Sequence, residues 1–129
     1  MDELDRVFCR DLIALPLAMN DFIIRRDAWM GDGYVDLDVE KFEGGKSIRY
    51  LIKVQGAEGK LVASQKMLKE VAGFKKKYGI DGFLAIVKLD GSAISIDSEL
   101  RSLGAFEFSG FKVFDLQRNR DFGNDFLHS

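Results

Sequence analysis

The segment YVDLDVEKFEGGKSIRYLIKVQ, residues 34–55, decides the fold. Residues 34–42 and 47–55 each alternate apolar with polar side chains, which is the pattern of a half-buried strand. Gly44 and Gly45 between them favour a two-residue hairpin turn. The sequence therefore predicts a β-hairpin with one apolar face directed towards a core.

Counting outward from this turn predicts the register of the hairpin, because a slip by one residue would move every side chain to the other face. The apolar face then pairs Val35 with Val54, Leu37 with Ile52, and Val39 with Tyr50. We expect this face to be buried.

The opposite face of the hairpin is charged. The same register places Asp36 opposite Lys53 and Glu40 opposite Arg49, with Asp38 between the two acids. Opposite charges that face each other across two strands stabilise the pairing.

Before the hairpin, helical spacing is followed by weaker signals. A first helix carries Leu4, Val7, Phe8 and Leu12 on one side, and Pro16 is expected to end it. Residues 22–25 predict a short strand, and residues 31–33 (GDG) predict a turn.

After the hairpin, a second helix and a buried strand are predicted. Ser64 is the candidate N-cap, and Gly79 is the expected C-terminal stop. Residues 83–87 (FLAIV) form an unbroken apolar run, typical of a strand buried on both faces and reached by a β-α-β crossover. The apolar side of this helix carries Met67, Leu68, Val71, Phe74 and Tyr78.

The C-terminal region predicts less regular structure. Residues 93–96 and the aromatic stretch 106–116 are candidate strands, and residues 118–129 are expected to form a loosely ordered tail. The four phenylalanines of this region offer either core or an interaction surface: Phe106, Phe108, Phe111 and Phe114.

Composition indicates one cytoplasmic domain, residues 1–117. The chain has 129 residues, of which 47% are hydrophobic, enough for one sizeable core. The longest apolar stretch, residues 12–19, is too short to span a membrane. Cys9 is the only cysteine and His128 the only histidine, so disulfides and histidine-dependent hydrolase chemistry are not expected.

Charge is distributed unevenly along the chain. The net charge is −2, but residues 41–88 contain 11 Lys and Arg against 4 Asp and Glu, a net charge of +7. A basic region on an acidic protein still attracts phosphate, because charges more than about 10 Å apart are largely screened at ~0.1 M salt.

Four short motifs follow one another along the chain: VDL at 35–37, YLIKVQ at 50–55, FKKKYG at 74–79 and FLAIV at 83–87. Their order and spacing resemble the core of the PD-(D/E)xK, or restriction-endonuclease-like, superfamily, and most closely archaeal Holliday-junction resolvases. The resemblance covers about residues 2–90. It implies an α/β fold with a central mixed β-sheet flanked by helices.

The resemblance also implies where a nuclease site would lie. Asp36 matches the family's metal-binding aspartate, but Lys53 stands in place of a metal-binding carboxylate, and Gln55 in place of the family's lysine. Such carboxylates hold a divalent cation that activates the attacking water. We therefore expect a vestigial site, with no catalytic residue and no metal cofactor.

A rearranged metal site is the alternative that keeps activity. Asp36, Asp38 and Glu40 share one face of a strand by its two-residue period, and with Mg²⁺ or Mn²⁺ they would make an active endonuclease or resolvase. Cross-strand ion pairs account for the same residues without a metal.

A second family with this core is the archaeal tRNA-splicing endonuclease. Residues 48–54 (IRYLIKV) are similar to the strand that follows its catalytic histidine, which would fall near Ser47 and is absent. This resemblance implies a non-catalytic structural subunit.

The favoured hypothesis is a catalytically degenerate protein that binds branched or duplex DNA or structured RNA, or that dimerises with an active paralogue. A homodimer or a heterodimer is expected. Trp29 and Tyr34 flank the GDG turn and are candidates for base stacking. The candidate phosphate contacts are Lys60, Lys66, Lys69, Lys75, Lys76 and Lys77. The alternative interpretation of these lysines is an ordinary solvated surface.

Overall fold

The structure, a computed structural model, describes the backbone of residues 3–57, 65–88 and 105–109, and the side chains of residues 6–56 and 65–87. In chain order its elements are α1 (Glu3–Met19), β1 (Ile23–Trp29), β2 (Tyr34–Glu43), β3 (Lys46–Ala57), α2 (Gln65–Tyr78), β4 (Asp81–Lys88) and β5 (Ala105–Ser109).

The strands form one mixed sheet in the order β1-β2-β3-β4-β5. Pairing is antiparallel from β1 to β3 and parallel from β3 to β5. The predicted α/β class, with a central mixed sheet and two helices, is confirmed.

Two hydrophobic clusters occupy the two faces of the sheet. Neighbouring residues of β3 divide between them: Ile52 packs in the cluster beneath α1, and Leu51 packs in the cluster beneath α2. Strand β4 does the same, since Leu84 belongs to the α2 cluster and Ala85 to the α1 cluster. Each helix therefore covers its own face of the sheet.

Helix α1 continues past Pro16, so the prediction that this proline ends it is wrong. Leu17 is fully buried, and burial of the last turn offsets the hydrogen bond that proline cannot donate. The helix ends instead at Met19, and Asp21 just beyond it has a left-handed φ of 68°. The Asp21 N–H donates to the Ala18 carbonyl at 3.2 Å and the Phe22 N–H donates to the Leu17 carbonyl at 3.1 Å, a Schellman motif.

The predicted hairpin turn is confirmed. Gly44 and Gly45 have φ values of 58° and 78°, the left-handed pair that a two-residue type I′ turn requires. Three predicted register pairs are also confirmed, namely Leu37 with Ile52, Val39 with Tyr50, and Glu40 with Arg49.

The predicted crossover from β3 through α2 to the parallel strand β4 is confirmed. Gly79 ends α2 with a φ of 72°, and its N–H donates to the Lys75 carbonyl at 2.9 Å. The centre of β4 is buried on both faces, since Leu84, Ala85, Ile86 and Val87 are each 0% exposed.

At the remaining elements the structure is longer or only partly described. β1 extends well beyond the predicted residues 22–25, and β5 overlaps the predicted aromatic strand 106–116 at residues 106–109, the rest of which lies outside the described residues. The candidate cap Ser64, the strand 93–96, the domain boundary at residue 117 and the tail 118–129 lie outside the described residues. Within the described ranges, no helix is long and apolar enough to cross a membrane.

Candidate functional site

The open end of the hairpin departs from the predicted register. The β2–β3 ladder ends at Leu37 and Ile52, and Val35 does not pair with Val54. Val35 packs in the cluster beneath α2, whereas Val54 packs in the cluster beneath α1. The two valines lie on different faces, so the predicted wholly apolar face is wrong at this end.

The difference arises because the regular alternation of side chains between the two faces of the sheet is interrupted in β1 and β2. We call this interruption the inversion. Asp27 of β1 has a left-handed backbone, with a φ of 49°. Arg26 and Asp27 are adjacent, yet both contact charged residues of α1. After the inversion, Ala28 and its β2 partner Val35 both pack against the α2 cluster. The end of the β1–β2 pair thereby contributes to the second core.

Asp36 takes part in the same inversion. Its Oδ1 accepts a hydrogen bond of 2.7 Å from Arg6 of α1, and its Oδ2 accepts one of 2.7 Å from the Val54 N–H. The Asp36 side chain is only 8% exposed. Both oxygens of this buried carboxylate therefore have strong donors, as a buried charge requires.

The predicted Asp36–Lys53 pair is wrong. The Lys53 ammonium instead lies 3.6 Å from Glu70 of α2, on the opposite side of the sheet from Arg6. Gln55 is half-buried two residues further along β3. The residues predicted as a vestigial site are thus divided, because Asp36 interacts with α1 and Lys53 with α2.

A network of three arginines and three aspartates joins α1 to β1 and β2. Hydrogen bonds from Arg6 and Arg10 hold the pKa of the Asp27 carboxyl below its ordinary value against the opposing effect of burial. Burial raises the pKa of Asp11, but hydrogen bonds from Arg10 and Arg26 outweigh it, and the net direction is downward. The members of the network are Arg6, Arg10, Arg26, Asp11, Asp27 and Asp36.

The alternative metal site is not assembled. Asp38 is bound by the Arg49 guanidinium through two hydrogen bonds, of 2.9 and 2.7 Å. Glu40 accepts hydrogen bonds from Ser47 and Arg25, and these lower its pKa. These two acids face away from the α1 network that holds Asp36, which contradicts the prediction of a shared face. In the part of the chain that the structure describes, no three His, Cys, Asp or Glu residues lie close enough to hold a metal ion.

Helix α2 carries a row of exposed lysines on its outer surface. Lys66, Lys69 and Lys76 are spaced so that they lie in one stripe, which we call the lysine stripe. Among the described residues none of the three has a carboxylate partner. Lys75 lies 3.7 Å from Asp81, and Lys77 is bound to Asp32. Lys60 lies outside the described residues.

A groove of about 320 Å³ separates this helix from the turn between β1 and β2. The Asp32 carboxylate in this turn accepts hydrogen bonds from Lys77 and Tyr78, which lower its pKa. The groove is lined by residues that include Gly33, Tyr34, Lys69, Gly73, Phe74 and Lys77.

Two exposed aromatic rings stand beside this groove. Trp29 and Tyr34 are 59% and 64% exposed, and their ring centroids are 4.9 Å apart at an angle of 56°. Both residues and Lys69 were predicted from the sequence as candidate contacts, whereas Gly73 was not. The sequence does contain a signal for Gly73, because a glycine in the middle of an amphipathic helix is unfavourable unless something needs the space.

Comparison with known proteins adds no relative: no family model, no curated protein and no solved structure matches this chain. What the protein does is therefore inferred from its residues and their geometry.

Proposed function

We propose that this protein binds structured nucleic acid, either branched or duplex DNA or structured RNA, through the lysine stripe, and that it does not cut it. The observation that carries the proposal is the stripe itself: Lys66, Lys69 and Lys76 are exposed on one side of α2, and none of them is neutralised by a carboxylate of the described residues. Unpaired cations in a row attract a polyanion.

The dimensions of the stripe suit a nucleic-acid backbone. Lys66 and Lys76 are ten residues apart, which is about 15 Å along a helix. The major groove of B-form DNA is about 12 Å wide, so one lysine at each end can reach phosphates on its two sides. Such contacts fix orientation without reading the sequence, as recognition of shape requires.

The element order supports descent from a nuclease-like ancestor. Helix, hairpin, helix and parallel strand is the order expected for the restriction-endonuclease-like core of a Holliday-junction resolvase, and the chain has this order with β1 added before the hairpin. Asp36 is engaged by Arg6, and Lys53, which stands in the motif where a metal-binding carboxylate is expected, lies on the other side of the sheet beside Glu70. Binding without hydrolysis is the function that these residues favour.

The salt dependence of affinity tests this proposal. We expect log Kd for a four-way junction, a duplex and a structured RNA to depend on log salt, with a slope of roughly 0.9 for each duplex phosphate neutralised. Lys66→Glu combined with Lys76→Glu should weaken binding to all sequences alike and reduce the slope by about 2. Lys41→Glu combined with Lys46→Glu makes the same change of net charge on the hairpin and should have little effect. Affinity that stays flat with salt, or that is undetectable, contradicts the proposal.

A second candidate function, self-association, is favoured by α1. Phe8, Leu15 and Met19 are 56%, 39% and 41% exposed, and together with Leu12 they form an apolar stripe along the helix. Their spacing of four, three and four residues reads the same in both directions. Two antiparallel copies of α1 would therefore place Phe8 opposite Met19 and Leu12 opposite Leu15, as a two-fold interface requires.

Sedimentation analysis tests this dimer. Phe8→Glu should convert a dimer into a monomer, whereas Phe42→Glu, at another exposed phenylalanine that lies on β2, should not. A monomeric unmodified protein at high concentration contradicts the second candidate.

A further inference from the structure

The centre of the exposed side of α2 lacks a side chain. A Cβ atom built on Gly73 would have no atom within 4 Å, so packing does not explain the glycine. Glycine in the middle of a helix costs roughly 0.5–1 kcal/mol relative to alanine. Gly73 lies in the groove, where its bare backbone lets a ligand approach the helix closely.

The groove also has an aromatic wall. Tyr34 lines it, and Trp29 lies against Tyr34 with the two ring centroids 4.9 Å apart. Both rings are more than half exposed. A ligand that covered them would remove apolar surface from water, which is favourable. Exposed aromatic faces of this kind are the surfaces on which unpaired bases stack.

The charge of the groove favours an anion. Two of its acidic residues already have cationic partners, because Asp32 is bound to Lys77 and Glu70 lies 3.6 Å from Lys53. Lys69 has no carboxylate partner in the described part of the chain. The groove therefore offers one cation that is not neutralised, next to the rest of the lysine stripe.

We infer that this groove binds an unpaired nucleotide, with its base stacked on Tyr34 and Trp29, its phosphate on Lys69, and its sugar-phosphate backbone passing over Gly73. The inference rests on the proposed function and specifies its ligand as nucleic acid that contains unpaired nucleotides beside a duplex. A volume of about 320 Å³ is at the small end of ligand sites, which suits one nucleotide and excludes a duplex.

Trp29 provides the readout, because it is the only tryptophan of the chain. The probes are a blunt duplex and the same duplex with a four-nucleotide thymidine overhang. We expect the overhang to bind on the order of tenfold more tightly and to quench Trp29 fluorescence. The blunt duplex should bind through the lysine stripe without quenching.

A pair of substitutions on α2 separates the groove from the fold. Gly73→Gln should fill the groove, abolish both the quenching and the preference for the overhang, and leave binding of the blunt duplex unchanged. Its thermal stability should stay the same or rise, because glutamine favours a helix more than glycine does. Ala72→Gln, at the neighbouring exposed position, should change none of these properties.

The outcomes distinguish this inference from the proposed function. If both probes bind equally and Trp29 is not quenched, the groove is not a nucleotide site, although the lysine stripe still binds duplex. If Gly73→Gln keeps the preference for the overhang, the groove assignment is wrong. If neither probe binds, the proposed function fails and the inference fails with it.

Discussion

Arg6 of α1 donates a hydrogen bond of 2.7 Å to Asp36 of β2. Asp36 is the residue that the resemblance in sequence assigned to a metal site, and this pairing gives it a structural role. It ties the first helix to the sheet at the point where β2 inverts, and its second oxygen accepts the Val54 N–H where the β2–β3 ladder has ended. The carboxylate thus replaces a backbone partner that the inversion removes.

Removing the arginine should leave a buried charge without its partner. The Arg6 and Asp36 side chains are 24% and 8% exposed, so we expect Arg6→Met to lower the free energy of unfolding by about 3 kcal/mol, measured by urea denaturation. Arg26→Met breaks a pair in which both side chains are nearly half exposed and should cost less than about 1 kcal/mol. Adding Asp36→Asn to Arg6→Met should recover part of the loss. Equal effects of the two arginine variants would contradict the structural role of Asp36.

Acid should weaken the same network. Because hydrogen bonds from Arg6 and Arg10 lower the pKa of Asp27 in the folded state, the stabilisation is present above the unfolded pKa of about 3.9 and is lost as the pH falls through the lower folded value. Asp27→Asn should therefore make the free energy of unfolding less dependent on pH below about pH 4. Asparagine also tolerates the left-handed backbone at this position, so the fold is kept. An unchanged acid profile in the variant would contradict the assignment.

The sequence pattern predicted those parts of the fold that depend on residues close together in the chain. Strict alternation and Gly44-Gly45 sufficed for the hairpin and its register near the turn. The inversion at Asp27 and Asp36 could not be predicted in this way, since residues 35–40 alternate without interruption across Asp36. Both carboxylates are held by α1, where Arg6 meets residues 21 and 30 positions away in sequence.

The candidate site also has a part that could be predicted from the sequence and a part that could not. Lys66, Lys69 and Lys76 could be grouped from sequence because helical spacing alone brings them to one side of α2. The groove could not, because it exists only where α2 meets the turn that contains Asp32 and Gly33. The prediction that Pro16 ends α1 was wrong for a related reason, because tertiary burial of the following turn outweighed the local preference of proline.

Two glycines of the α2–β4 unit should respond oppositely to alanine. A Cβ on Gly82 would lie 2.5 Å from both the Phe74 side chain and the Val71 carbonyl oxygen. Gly82→Ala should therefore lower the free energy of unfolding by about 1–3 kcal/mol. Gly73→Ala meets open space and should raise it by roughly 0.5–1 kcal/mol. Thermal denaturation checks both, and a stabilising Gly82→Ala would show that α2 and β4 are not packed as described.

The unmodified protein should not hydrolyse DNA or RNA with Mg²⁺ or Mn²⁺. A metal site here would need carboxylates free to bind the cation, but Asp36 is held by Arg6, and Asp38 by Arg49. The substrates to test are a four-way junction, a duplex and a structured RNA. Metal-dependent cleavage that disappears in Asp36→Ala would overturn both this prediction and the proposal of binding without hydrolysis.

Placing the nuclease-like residues at positions 53 and 55 tests whether these positions and Asp36 can form a metal site. Lys53→Glu combined with Gln55→Lys replaces the ammonium with a carboxylate and supplies the lysine that the nuclease motif contains. We expect calorimetry to detect no Mn²⁺ binding, even when Arg6→Met is added, because Asp36 contacts α1 on one side of the sheet and residue 53 contacts α2 on the other, so the two carboxylates cannot hold one ion. The control, Lys53→Met with Gln55→Lys and Arg6→Met, offers no second carboxylate and should give the same result. Mn²⁺ binding by the variant that contains Lys53→Glu, but not by the control, would contradict the division of these positions between the two sides of the sheet.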